Sequence, residues 1–196
     1  MLKKIIFFIL CISFTYLSFA DQICGIKKKI IDGDTIYVDK INCLSSKILA
    51  ENIKIRLVGI DAPEIKQDYG KYSKNCLSNL LGTSALELIT YGNDRYDRVL
   101  AKIVIQNVDI NLAMIQHGCA WFYRQYQESL DEADQKLYDQ AEQEAQRQFL
   151  GLFKNAKALP PWVWRKKNWT IKFFKDHISY EKNTIYTFFI YISCSE

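Results

Sequence analysis

Two short acidic clusters carry the chain's clearest chemical potential: Asp32-Gly33-Asp34-Thr35, and Asp61-Ala62-Pro63-Glu64 directly after the apolar run Ile53 to Ile60. Grouped carboxylates can hold a hard divalent cation or move a proton. Either cluster alone could equally be a turn, because Asp and Gly tolerate the backbone angles that turns require. An EF-hand is excluded, since its loop needs further oxygen ligands at fixed spacing, Gly at the sixth position and Glu at the twelfth. His117 and His177 are the only histidines and no Cys-x-x-Cys pair occurs, so a zinc centre or a Ser-His-Asp triad is poorly supported. Oxygen-ligand metal chemistry remains.

Arg56 sharpens this picture. It lies between Ile55 and Leu57 inside an apolar run, where a charge is costly unless it meets an anion. Its partner is either a carboxylate of the protein or a substrate phosphate, which a guanidinium can grip with two hydrogen bonds. In a straight strand Arg56 and Asp61 would sit ~16 Å apart at ~3.3 Å per residue, so both serve one site only if the chain bends near Gly59. Three basic groups, Lys27-Lys28-Lys29, Arg95 with Arg98, and Arg165-Lys166-Lys167, could follow a phosphate backbone or simply face solvent.

The elements that must position these residues follow from patterning. At 196 residues with 49% hydrophobic and 14% aromatic content, the chain can build one domain with a sizeable core. From Ile23 to Ile60, β-branched residues broken by Asp32-Gly33-Asp34 and by the polar stretch Asn42 to Glu51 predict two or three strands, with a hairpin and a longer loop. Tyr69 to Leu81 reads as a helix stopped by Gly82. Ala85 to Tyr91 and Val99 to Ile105 read as strands joined by the charged loop Gly92 to Arg98. A short helix capped by Asn111 and ended by Gly118 follows. A clearer one then carries Leu130, Ala133, Leu137, Ala141 and Ala145 on one face, with acids at its start and Gly151 at its close. Pro160-Pro161 marks the end of the compact part. This is an α+β arrangement that a five-stranded OB-type β-barrel would satisfy, with one helix between strands three and four and helices at the C-terminal end.

The ends read differently. Lys3 and Lys4, the apolar run Ile5 to Leu17 and the small residues of Ser18-Phe19-Ala20 predict a signal peptide over 1–20, with the mature chain starting at Asp21. Its apolar core is short of the ~20 residues of a spanning helix, so no stable membrane span is expected, and Cys11 reads as part of the leader. Without Lys3 and Lys4, 24 basic residues face 22 acidic ones, a net of +2 that by itself proves no polyanion partner. Five cysteines remain in a disulfide-permissive compartment, and an odd number leaves at least one unpaired. The compact domain is expected over 21–167. An extension over 168–196 contains the apolar aromatic stretch Thr184 to Cys194, too short to span a membrane.

Three motifs in order resemble the staphylococcal nuclease family: Ile31-Asp-Gly-Asp-Thr-Ile36, Ile55-Arg-Leu-Val-Gly-Ile-Asp-Ala-Pro-Glu64 and Asp94-Arg-Tyr-Asp-Arg-Val-Leu-Ala101. Tyr69-Gly70, Gly118-Cys-Ala-Trp121, Gly151-Leu-Phe153 and Pro160-Pro-Trp-Val-Trp164 are similar to exported bacterial members, so the resemblance runs from about Cys24 to about Arg165. It implies a monomeric, exported, Ca2+-dependent endonuclease acting on DNA and RNA at the 5′-oxygen side to leave 3′-phosphates. By the same resemblance Asp34, Asp61 and the main-chain carbonyl of Ala62 would hold Ca2+. Glu64 would orient and deprotonate the attacking water, as a true base or mainly as a positioner. Arg56 and Arg98 would contact the scissile phosphate, with Arg95, Tyr96 and Tyr126 binding the nucleotide. Two positions depart from the pattern: Ala62 stands where some members have Thr, and Asp97 where many have Gly, which puts a carboxylate beside Arg98.

Two other readings compete. A non-catalytic OB-type module would bind nucleic acid or a protein, but a degenerate copy should have lost a carboxylate, because unpaired acids repel. A surface-attached interaction protein would act through the aromatic tail.

Overall fold

The computed structural model describes residues 23–170. The predicted leader, Cys194 and the stretch Thr184 to Cys194 lie outside the described residues. Eight strands and three α-helices run in the order β1 (Ile23–Ile30), β2 (Thr35–Asn42), β3 (Ile48–Leu57), β4 (Ile60–Asp61), α1 (Gly70–Leu81), β5 (Leu86–Asn93), β6 (Val99–Ile105), β7 (Val108–Asp109), α2 (Ile110–Gln116), β8 (Trp121–Phe122) and α3 (Glu132–Arg147). Residues 161–170 are also helical.

Five strands close on themselves. β1 pairs antiparallel with β2 and β5, β2 with β3, and β5 with β6. The ring is completed by a short parallel seam between β3 and β6, Ile55↔Val99, Arg56↔Leu100 and Leu57↔Ala101. This is the predicted OB-type α+β barrel, with α1 between its third and fourth long strands. Closure leaves little open edge, which suits a small barrel filled by side chains. Ile36, Val38, Ile55, Leu57, Leu86, Ala101 and Ile103 fill it, and α1 (Leu77, Leu81), α2 (Met114, Ile115) and α3 (Tyr138) cover it.

The strand predictions miss the two-residue strands β7 and β8 and the start of β3. Ile48 to Glu51, read as loop, is the first part of β3 and pairs with β2 through Lys40↔Ala50 and Ile41↔Ile48. These residues lie on the exposed part of the barrel wall, so burial imposes no apolar alternation there. Three helix signals also differ. In α3 the buried face is Tyr138, Ala141, Glu142 and Ala145, while Ala133 and Leu137, expected on it, are exposed. α2 is capped by Asp109, whose side chain accepts from Leu112 N, while Asn111 is fully buried inside the helix. Its Nδ2 donates to Val58 O and Ala101 O, and its Oδ1 accepts from Ile103 N, fastening α2 to the seam. Helix α3 ends at Arg147, four residues before Gly151, and Phe149 takes the left-handed turn at φ 52°.

Two disulfides hold outer elements to the barrel: Cys24–Cys43 ties β1 to the loop after β2, and Cys76–Cys119 ties α1 to the turn after α2. Beside the second, Ser73 Oγ donates to Cys119 O at 2.6 Å. Nor is Pro160-Pro161 the end of the compact part. Pro161 opens the last helical stretch, where its missing N–H costs nothing, and Val163 N and Trp164 N donate to Pro160 O. Trp162 in its first turn stacks on Tyr123.

Asn111→Ala removes three buried hydrogen bonds at the seam and should cost about 2–4 kcal/mol of stability. Thermal unfolding checks this; an unchanged midpoint would show that the seam does not need the amide.

Candidate active site

The two acidic clusters meet because of strand register. Asp34 ends the β1–β2 turn, and the pairing Thr35↔Arg56 with Leu57 N donating to Asp34 O at 2.9 Å sets it beside the end of β3. The bend required between Arg56 and Asp61 occurs at Gly59, whose φ is 75°. A Cβ there would lie 2.5 Å from Leu130 Cδ1, so both conformation and space call for glycine. After the bend, β4 pairs with β8 through Ile60↔Phe122 and Asp61↔Trp121, and Tyr123 N donates to Gly59 O.

Arg56 sits at the centre of this junction, buried. Its Nε lies 3.3 Å from Asp34 Oδ1, and Nη2 donates to Asp61 Oδ1 at 3.0 Å. Nη1 donates to Leu57 O at 2.6 Å and to Ile60 O at 2.7 Å. The bend therefore supplies both acceptors of Nη1. Of the alternatives left by the sequence, protein carboxylates meet this charge directly, and Nη2 retains one N–H that can face a phosphate.

Asp34 is held on every side: Oδ2 accepts from Ala62 N at 2.7 Å and Oδ1 from Thr35 Oγ1 at 3.0 Å. Glu64 follows on the loop leading to α1, where its own N–H donates to Gln67 Oε1 and its carbonyl accepts from Gln67 N. Gly70 packs against that loop so closely that a Cβ would fall 1.9 Å from Glu64 O. The Glu64 side chain is only partly buried and reaches the cleft.

The cleft has a volume of ≈ 710 Å³ and is lined by Asp32, Asp34, Arg56, Asp61, Ala62, Glu64, Arg95, Tyr96, Arg98, Tyr123, Tyr126, Trp162 and Arg165 among others. All nine residues singled out from the sequence line it. Also lining the cleft, on the β5–β6 loop, Asp94 holds Arg98 through Nε at 2.7 Å and Nη2 at 2.6 Å. Burial raises the Asp94 carboxyl, but the Arg98 guanidinium and the N–H groups of Arg98 and Tyr96 more than offset it and hold it below its ordinary value. Tyr96 is exposed, with the guanidinium carbons of Arg95 and Arg98 at 4.9 and 5.6 Å from its ring centroid. Tyr126 is half-exposed and packs on Tyr123 at 5.0 Å. Asp97 occupies a left-handed position, φ 58°, where glycine would be easier, and its carboxylate accepts from Asn93 Nδ2. The acid that engages Arg98 is thus Asp94, not Asp97.

Sequence reading missed three contributors. Asp32 lines the cleft and accepts from Asp34 N; burial first, and the Asp34 carboxylate second, push its carboxyl up to about 7. Trp162 also lines the cleft. Arg165 donates to both acids, through Nη2 to Asp61 Oδ2 at 2.7 Å and through Nη1 to Glu64 Oε1 at 2.9 Å. The Asp61 carboxyl is raised: burial outweighs the pull of Arg165 and Arg56. The Pro160 to Trp164 motif was visible, but nothing in it announced a contact across a hundred residues of chain.

Among the described residues no three His, Cys, Asp or Glu side chains form a ready-made metal cage. The donors that do line the cleft are hard oxygens, and the carboxylates of Asp34 and Asp61 already gather cationic guanidinium groups. That donor chemistry fits a hard divalent cation taking its remaining ligands from main chain, water and substrate.

Comparison with known proteins agrees with the motifs. Residues 54–155 match the family model described as staphylococcal nuclease homologue. An uncharacterized endonuclease of Haemophilus influenzae is 36% identical over 168 residues, covering 84% of this chain and 86% of that protein. An uncharacterized endonuclease of Escherichia coli is 34% identical over 140 residues, covering 71% and 82%. A micrococcal nuclease of Shigella flexneri is 34% identical over 147 residues, covering 70% and 78%. Matched by the family model over more than half its length, and by such relatives over most of theirs, the chain belongs to the staphylococcal nuclease family and is an endonuclease.

Proposed function

We propose that this endonuclease hydrolyses DNA and RNA in a Ca2+-dependent reaction, cutting at the 5′-oxygen side to leave 3′-phosphates. The observation that carries this reading is the convergence of Asp34, Asp61 and Glu64 on one cleft, with a buried arginine between the first two and a second arginine, Arg98, in the same lining. Asp34 and Asp61, with the carbonyl of Ala62, would hold the cation. Bound there, Ca2+ supplies Lewis-acid polarisation of a phosphoryl oxygen and neutralises charge as it develops.

The chain's own groups do the rest. Glu64 orients the attacking water and takes its proton; the partly open side chain gives water access, while the Gln67 and Gly70 contacts fix its backbone. Arg56 directs its remaining N–H toward the phosphate from a position it cannot leave. Arg98 exchanges Asp94 for a phosphate oxygen, since a guanidinium fork fits either anion. Tyr96 and Tyr126 offer exposed ring faces for bases, a mode of binding that tolerates any sequence. The leader expected over 1–20 from the sequence, together with two disulfides in the described part, supports an exported protein working in an oxidising compartment. No helix among the described residues is long and apolar enough to cross a membrane.

Cleavage of single-stranded and duplex DNA should require Ca2+ and stop on chelation; full activity in excess chelator would remove the metal assignment. Glu64→Gln should lower turnover by roughly 10²- to 10⁴-fold. Its thermal midpoint should hardly move, because the partly exposed Arg165 pair that it weakens is worth at most about 1 kcal/mol. Near-normal turnover per folded molecule would show that Glu64 does not handle the water. Arg56→Lys should behave differently and lose both turnover and stability, since an ammonium cannot serve two carboxylates and two carbonyls in that geometry. Retention of the wild-type midpoint in Arg56→Lys would contradict the role assigned to the guanidinium shell.

A further inference from the structure

The segment after Leu159 has no part in the chemistry above, yet it is fastened to the site at three successive points. Leu159 O accepts from Gln67 Nε2 at 2.6 Å, and the same Gln67 side chain accepts from Glu64 N. Trp162 stacks on Tyr123 with centroids 5.4 Å apart and planes 20° from parallel, and meets Trp121 edge-on at 6.2 Å. One helical turn later Arg165 closes on the acids: Nη2 to Asp61 Oδ2 at 2.7 Å, Nη1 to Asp61 Oδ1 at 3.2 Å, and Nη1 to Glu64 Oε1 at 2.9 Å.

We propose that Arg165 is a positioning residue for this nuclease, a tethered counter-ion that holds Asp61 and Glu64 in place until Ca2+ displaces it from Asp61. The proposal rests on the Ca2+ reading given above. Both oxygens of Asp61 already accept hydrogen bonds, Oδ1 from Arg56 and Arg165 and Oδ2 from Arg165, and the carboxylate is almost wholly buried. Oδ2 keeps a free lone pair, but a divalent cation arriving there meets two guanidinium charges on the same carboxylate and is bound more tightly once one of them withdraws. Arg56 cannot yield, being buried and pinned by Leu57 O and Ile60 O. Arg165 can: its side chain is 41% exposed, and it sits on the helical stretch 161–170 rather than in the barrel.

Docking of Arg165 and binding of the cation therefore oppose each other, and by linkage each weakens the other by the same factor. Without Arg165, Asp34, Asp61 and Glu64 repel one another with only Arg56 among them, so the metal-free protein loses stability while a cation gains it. Released from Asp61, the guanidinium remains beside Glu64 and orients the carboxylate that faces the water. The Leu159–Arg165 strap thus sets how much Ca2+ the enzyme needs. A residue that merely supported the fold would do the opposite, because its loss would loosen the site and weaken the metal.

The test compares the full chain with Arg165→Gln and Trp162→Ala, the second variant undocking the strap without altering a charge. Calorimetric titration with CaCl2 should show about tenfold tighter binding for Arg165→Gln, the scale of one charge-assisted contact discounted for exposure. Trp162→Ala should shift in the same direction by a smaller factor. In chelator Arg165→Gln should melt below wild type, and saturating CaCl2 should raise its midpoint by more than it raises that of wild type. Wild-type affinity in both variants, or weaker binding in either, overturns the counter-ion role while leaving the Ca2+ reading intact. If no variant and no wild-type protein binds Ca2+, the metal reading falls and this inference with it.

Discussion

A guanidinium cannot stay buried in a small barrel unless almost every N–H finds an acceptor, and Arg56 imposes that demand at the point where β3 leaves the wall. Two acceptors come from the backbone, and only because the chain turns sharply at Gly59 does it present Leu57 O and Ile60 O to the same Nη1. The other two come from carboxylates on different strands, which would repel each other without the cation between them. The turn, the β2–β3 register and the proximity of Asp34 to Asp61 are thus three expressions of one electrostatic requirement. What makes the junction stable also leaves a pair of oxygen-rich groups facing a cleft.

The Asp94–Arg98 loop is built on a different logic. Arg98 is kept straight and ready by Asp94, whose side chain also accepts from the N–H groups of Tyr96 and Arg98. The loop is therefore ordered around the acid rather than around the arginine. A phosphate can replace one bond to Asp94 without disturbing the loop, because the backbone donors stay satisfied. Asp97, for all its charge, is turned toward Asn93 and pays only the backbone penalty of its left-handed turn.

Much of this was legible in the sequence, and the exceptions share a cause. Alternation and helical period reflect burial on one face, so the barrel strands and the existence of α1 and α3 could be read from the sequence, while the buried face of α3 could not, because Tyr138 and Glu142 take core places and Leu137 is exposed. The exposed start of β3 has no such face and passed for loop. Asn111 carries the chemistry of a cap, but its amide is consumed by carbonyls of two other elements, a pairing no local window contains. The condition that Gly59 bend the chain could be stated in advance because it needed only strand geometry and five residues of spacing. Arg165 could not be assigned, since its partners lie 101 and 104 positions away and its neighbours Lys166 and Lys167 make it look like one more solvated cation.

The parallel seam between β3 and β6 is three residue pairs long, and Arg56 is the middle residue on its β3 side. On the other side, Arg98 lies immediately before the seam begins. The two arginines are far apart along the chain and share one cleft only when those three pairs are made. Any opening of the seam, whether in a newly made chain or during a local unfolding excursion, separates them while every carboxylate remains in the sequence. A molecule with the seam open therefore carries the residues of the site without their geometry.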